Sequence, residues 1–131
     1  MKTPMRVAKA LTQLTGGRHV SMEAILNDAI FHDAESAGEM VVVREVELNS
    51  LCEHHMLPFT GKAHIGYISD GRIIGLSKVA RIVDKFARQL QVQERITRQV
   101  AQCLVDTLAP PGVAVMIEAS YVLGWCAALR G

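Results

Sequence analysis

The sequence predicts an α+β fold, an antiparallel sheet with helices packed on one face. Strand-like and helix-like segments come in blocks, helix-helix-strand-strand-helix-helix-strand, and blocks argue against the alternation of a parallel sheet. Half of the 131 residues are hydrophobic and only 5% are aromatic, so one aliphatic core in a single domain, 1–131, is expected. Asp70-Gly71 places a turn signal between two apolar runs, as antiparallel neighbours require.

Each element follows from local pattern. Thr3 offers an N-cap and Pro4 suits the first helical position. Val7, Ala10, Leu11 and Leu14 then recur at helical spacing until Gly16-Gly17 ends the helix. Ser21 caps a second short helix through Ile25, Ala29 and Ile30, and residues 32–39 read as a loop, so 1–39 forms an N-terminal helical part. Met40 to Leu48, rich in Val, reads as a strand, Phe59 to Ile68 as a second, and Arg72 to Ile74 as a short return strand. From Leu76 the period changes: Val79, Val83, Phe86 and Leu90 mark one amphipathic helix, and Ile96, Val100, Cys103, Leu104 and Leu108 another. Pro110-Pro111-Gly112 breaks the chain before a last strand from Val113 to Ile117.

Composition narrows the function. A formal net charge of +1 marks no nucleic-acid partner. No apolar run approaches the ~18–20 residues that span a bilayer, so no membrane partner is expected, and the first six residues lack the apolar core of a signal peptide. The cysteines at 52, 103 and 126 are odd in number and lack framework spacing, which favours a reducing, cytoplasmic setting.

The densest chemistry is Cys52-Glu53-His54-His55. Cys52 and His55 stand in C-x-x-H spacing, and a thiolate and an imidazole so placed can share one Zn²⁺, leaving His54 to move protons. The plainer reading is a turn with satisfied polar residues; the adjacent second imidazole favours metal. Gly75-Leu76-Ser77-Lys78 leads from strand to helix with Arg81 on the same face as Lys78, so free amides and two cations suit a phosphate chain, against a plain solvated helix start. Gln93-Glu94 lies within Gln91–Arg95 between the two helices, and a carboxylate beside a carboxamide suits the donor-rich edge of guanine, against ordinary loop polarity. His19, His32 and His64 stand alone and read as surface or strand residues; Cys103 falls on an apolar helix stripe and reads as core.

Taken together these motifs resemble one family. Ser50-Leu51-Cys52-Glu53-His54-His55, Gly61-Lys62-Ala63, Ile74-Gly75-Leu76-Ser77-Lys78, Arg81-Ile82-Val83 and Gln91-Val92-Gln93-Glu94-Arg95 follow the order and spacing of GTP cyclohydrolase I, and the resemblance runs from residue 3 to about 119. It implies the tunnelling fold over 40–131, and subunits joined into pentamers and decamers with active sites at their boundaries. It implies zinc-dependent conversion of GTP to 7,8-dihydroneopterin triphosphate and formate, the entry to folate and other pterins. On this chain it makes Cys52 and His55 zinc ligands and His54 a proton carrier. Gln93 and Glu94 then hold guanine, while Ser77, Lys78 and Arg81, with Lys62 and Arg130, face the triphosphate.

Beyond Ala119 the chain departs from the pattern. The family continues Ile-Glu-Ala-x-His-x-Cys-x-x-x-Arg-Gly, supplying a second catalytic imidazole and a third zinc ligand. Aligned from Ala119, Tyr121 and Leu123 stand at those two positions; aligned back from Arg130-Gly131, Gly124 and Cys126 do. The resemblance also implies that a last strand and a terminal helix are missing. Three readings stay open: Cys126 is the third ligand of an active enzyme; the chain is an impaired homologue that binds nucleotide or modulates an oligomer without turnover; or the tail comes from a shifted reading frame.

Overall fold

The structure, a computed structural model, describes residues 2–121. In chain order the elements are α1 (Thr3–Leu14), α2 (Met22–Leu26), β1 (Ile30–His32), β2 (Met40–Cys52), β3 (Pro58–Ile68), β4 (Arg72–Ile74), α3 (Leu76–Ala87), β5 (Leu90–Gln91), α4 (Gln93–Leu108) and β6 (Val113–Tyr121). The main sheet has the order β5-β2-β3-β6, antiparallel except for the two-residue β5, which runs parallel to β2. A separate ladder pairs β1 with β4.

Side-chain alternation shows how one face is covered. On β3, Phe59, Ala63, Ile65 and Tyr67 are buried, with Gly61 in the same phase. On β6, Ile117 is buried and Val113, Val115, Ala119 and Tyr121 pack against the core. Helices α3 and α4 cover this face through Val79, Ile82, Val83, Ile96, Val100 and Leu104. Cys103 belongs to the same core, its thiol 3.6 Å from the Met22 sulfur, and burial pushes its pKa up. The other sheet face carries exposed Met40, Val42 and Met116 beside Lys62 and Glu118.

β2 keeps its apolar side inward only by changing phase. Val41 and Val43 pack inward in its first half, and Val46, Leu48 and Ser50 in its second. Between Val43 and Val46 the partner on β3 advances from Ile65 only to Ala63, so one extra residue bulges out. Glu45 there has φ +58, and its amide donates to His64 Nδ1 at 3.2 Å.

Several sequence expectations change at the element ends. The second helix ends at Leu26 rather than Ile30, because Asp28 takes φ +51 and the chain then extends; Ile30 instead pairs with Ile74. β2 runs on to Cys52, where Ser50, Leu51 and Cys52 are all buried. The first long helix of the pair stops at Ala87, and Leu90 joins β5 opposite Leu51. β6 extends four residues past Ile117, to Tyr121.

The two long helices run antiparallel. Cys52 is paired with Gln91, so the end of β2 lies where α3 finishes and α4 begins. At the opposite end, Arg72 of β4, three residues before Gly75, donates to the last carbonyl of α4, Leu108 O, at 2.6 Å.

Candidate functional site

Cys52 closes β2 and is buried, with its amide donating to Leu57 O at 2.8 Å. Met56 takes φ +55 and donates back to Cys52 O at 2.8 Å, so residues 53–55 are thrown outward in a tight turn. Both imidazoles reach the sulfur: His54 Nδ1 lies 3.8 Å from Cys52 Sγ and His55 Nδ1 4.0 Å. The rings meet edge to face at 6.1 Å.

The turn is tied to α4. Glu53 donates its amide to Gln91 O at 3.0 Å. Arg95 grips the Glu53 carboxylate with both ends of its guanidinium, at 2.6 and 2.9 Å, and this paired hydrogen bond holds the Glu53 pKa below its usual value. Gln91 is buried, its Nε2 donating to Phe86 O at 2.9 Å and Gln99 Oε1 at 2.6 Å, which fixes the junction from which α4 starts.

Gln93 and Glu94 form the first turn of α4 at that same end. Gln93 Nε2 donates to Ile117 O at 2.6 Å, pinning the helix start to β6. Glu94 is exposed, and its carboxylate forms no ion pair among the described residues. A carboxylate among the free amides of a helix start can accept hydrogen bonds from a ligand. Tyr121, at the end of β6, stacks its ring on that of Phe59 at 4.6 Å.

The cations that the sequence grouped with these residues lie elsewhere. Ser77, Lys78 and Arg81 occupy the first two turns of α3, where Lys78 Nζ donates to Asn27 O at 3.4 Å. The 12 residues of α3 separate its two ends by roughly 18 Å. Within one chain, therefore, Ser77, Lys78 and Arg81 stand at one end of the helix layer and Cys52, His54, His55, Gln93 and Glu94 at the other. Lys62 lies on the uncovered face of the sheet, 3.5 Å from Glu45 Oε1, away from both groups.

Zinc is the metal that the donor types suit. A tetrahedral zinc with one thiolate and one imidazole sets sulfur and nitrogen about 3.5 Å apart. The observed 3.8 and 4.0 Å come within a few tenths of an ångström of that spacing. Among the described residues no cluster of three or more His, Cys, Asp or Glu suitable for a metal is assembled. Cys126 and Arg130, the expected third ligand and the last phosphate contact, lie outside the described residues.

Sequence reasoning found the Cys-Glu-His-His run and the Gln-Glu pair but missed what joins them. Glu53, Gln91, Arg95 and Gln99 were present as letters within or beside the motifs; their pairing spans up to 42 positions and has no local signature. Tyr121 entered only as an alignment position.

The GTP cyclohydrolase I family model matches residues 1–131. A curated relative named GTP cyclohydrolase 1 from Gloeobacter violaceus is 56% identical over 133 residues, covering 99% of this chain and 58% of the relative. Another, from Dictyostelium discoideum, is 53% identical over 131 residues, covering 100% and 54%. The chain thus spans a little over half the length of these relatives. A crystal structure of the archaeosine synthase QueF-Like in the apo form matches with a TM-score of 0.59 at 17% identity, over 63% of this chain and 82% of that one. The sheet with two helices on one face is a tunnelling fold.

Proposed function

Since the chain belongs to the GTP cyclohydrolase I family, we propose that it serves the zinc-dependent hydrolysis of GTP to 7,8-dihydroneopterin triphosphate and formate, in the cytoplasm. The observation that carries the reading is the placing, at one end of the helix layer, of the Cys52–His55 turn and of Glu94, whose carboxylate forms no ion pair among the described residues.

The residues divide the work. Cys52 and His55 hold the metal, with Cys126 as third ligand, and bound there zinc supplies Lewis-acid activation of water. Glu94 accepts from the N–H and amino group of guanine, and the amides at the start of α4 donate to its carbonyl. His54, largely exposed beside the turn, carries a proton between water and the opening ring. Ser77, Lys78 and Arg81 bind the triphosphate through hydroxyl, ammonium and guanidinium groups, with Lys62 and Arg130 as further cations.

Because the phosphate group and the guanine group sit at opposite ends of the helix layer, a complete site draws them from two copies. Assembly into a ring, and pairing of pentamers into a decamer, brings one copy's α3 start to the other's α4 start. A reading without turnover is favoured by the sequence: in neither alignment of the tail, with Tyr121 of β6 or with Gly124 at that position, does an imidazole stand where the family pattern carries one.

Two measurements test the reading. Glu94→Ala abolishes GTP binding; unchanged affinity removes Glu94 from the guanine site. Zinc content near one per chain, lost on Cys126→Ser, together with formate release from GTP, supports the active reading, whereas GTP binding without zinc or formate favours the non-turnover homologue.

A further inference from the structure

The connection between α1 and α2 has no task in the mechanism above, yet it is pinned where α3 ends. Gly17 donates its amide to Arg88 O at 2.9 Å and accepts from Lys85 Nζ at 3.1 Å. A Cβ on Gly17 would lie 2.1 Å from Lys85 O, so only glycine lets the two backbones come this close. The next two residues, Arg18 and His19, are thereby held beside the β5 junction. Together with Glu53, Gln89, Arg95 and Gln99 they line a cavity of about 530 Å³. Cys52, His54, His55, Gln93 and Glu94 are not part of its lining, and Ser77, Lys78 and Arg81 stand at the other end of α3.

The walls of this cavity offer donors in excess of acceptors. The Glu53 carboxylate is already taken up by Arg95. Of the five N–H groups of that guanidinium, two go to Glu53 and a third to Gln91 Oε1 at 3.5 Å, which leaves two. Gln99 accepts from Gln91 Nε2 at 2.6 Å through its carbonyl oxygen, so its amino group is left to donate. Arg18 forms no ion pair among the described residues and brings a whole guanidinium, and His19 brings an imidazole. Two guanidinium groups against one carboxylate also leave the cavity positive. Its ligand must therefore accept hydrogen bonds on several oxygens and carry negative charge, which is the chemistry of a phosphate group. We infer that this cavity is a second anion site, taking a small phosphate-bearing molecule between Arg18 and Arg95. It goes beyond the GTP reading and does not depend on it.

Equilibrium dialysis of the full chain against inorganic phosphate tests the site through three variants. Arg18 is exposed, so Arg18→Glu reverses its charge without disturbing the core. It is expected to lose phosphate affinity roughly tenfold or more, as the loss of a charged hydrogen-bond donor implies. Lys78→Ala combined with Arg81→Ala leaves this binding in place, because those cations lie elsewhere. Glu53→Gln removes the carboxylate that competes for Arg95 and tightens phosphate binding several-fold, a gain that a merely structural Glu53–Arg95 pair does not give. Glycerol 3-phosphate that binds more tightly than inorganic phosphate identifies a phosphate monoester as the ligand, and equal binding identifies free phosphate; both support the site. A wild-type chain that binds no phosphate overturns the inference. Binding unchanged in Arg18→Glu, or lost in the Lys78→Ala and Arg81→Ala chain, places the anion at the α3 start and overturns it as well. Binding unchanged in Glu53→Gln removes Arg95 from the anion and overturns the site as drawn.

Discussion

Glu53 offers no ligand atom to the candidate metal, yet its carboxylate decides where the turn can go. Arg95 holds both its oxygens from α4, 42 positions away. Such outer contacts orient ligands that have rotamers to spare, and their loss costs about 10- to 100-fold in metal affinity. Arg95→Ala is expected to weaken zinc binding by that order while leaving the circular dichroism spectrum unchanged. Arg95→Lys recovers only part, because an ammonium cannot fork across two oxygens. Zinc affinity equal to wild type in Arg95→Ala would show the grip to be incidental. A second exposed pair sets a pH dependence. Arg72 bonds the Asp70 carboxylate at 2.9 and 3.3 Å and, through those bonds, lowers its pKa. A lowered folded value means that the pair's contribution is present above the ordinary carboxylate pKa of about 3.9 and is lost as pH falls through the lowered value. Melting temperatures of wild type and Asp70→Asn should therefore differ most near neutral pH and converge below about pH 4; a gap that persists in acid contradicts the assignment.

The strands and helices were legible where their pattern is local, and misread where a distant partner decides. Val79, Val83, Ile96, Val100 and Leu104 lie on the buried stripes that their spacing predicts. β1 escaped notice because its three residues gain strand character only against Arg72–Ile74. The β2 bulge was hidden because it changes the parity of an alternating run, which in sequence looks only like imperfect alternation. Gly61 marks another non-local demand: a Cβ there would lie 2.1 Å from Glu118 O and 2.8 Å from Ala119 Cα, both backbone atoms of β6. Gly61→Ala must push β6 away from β3, at a cost of about 1–3 kcal/mol. Chemical denaturation should report that loss, and a stability equal to wild type would show that β6 yields freely. In the core, Ile82→Ala empties a fully buried site and should cost about 2–5 kcal/mol.

For the molecule as a whole, antiparallel helices separate what the sequence presents as one continuous run of motifs. Residues 50 to 95 hold both groups of motifs, and the fold puts Lys78 near the start of α3 and Cys52 beside the junction that follows its end, in keeping with the boundary sites that the resemblance implies. A direct check follows from mixing variants. Lys78→Ala and Glu94→Ala are each expected to abolish formate release alone. Assembled together in equal amounts, about a quarter of the subunit boundaries carry both intact halves if each site is built from two copies. Recovery near that fraction supports the shared site; no recovery places both halves in one chain. If each site is built from two copies, the joint between subunits, rather than the chain, is the unit that works. Specific activity should then fall steeply on dilution and return on concentration. In a cell, output would climb with the square or a higher power of expression when the protein is scarce, so scarcity itself would act as an off switch.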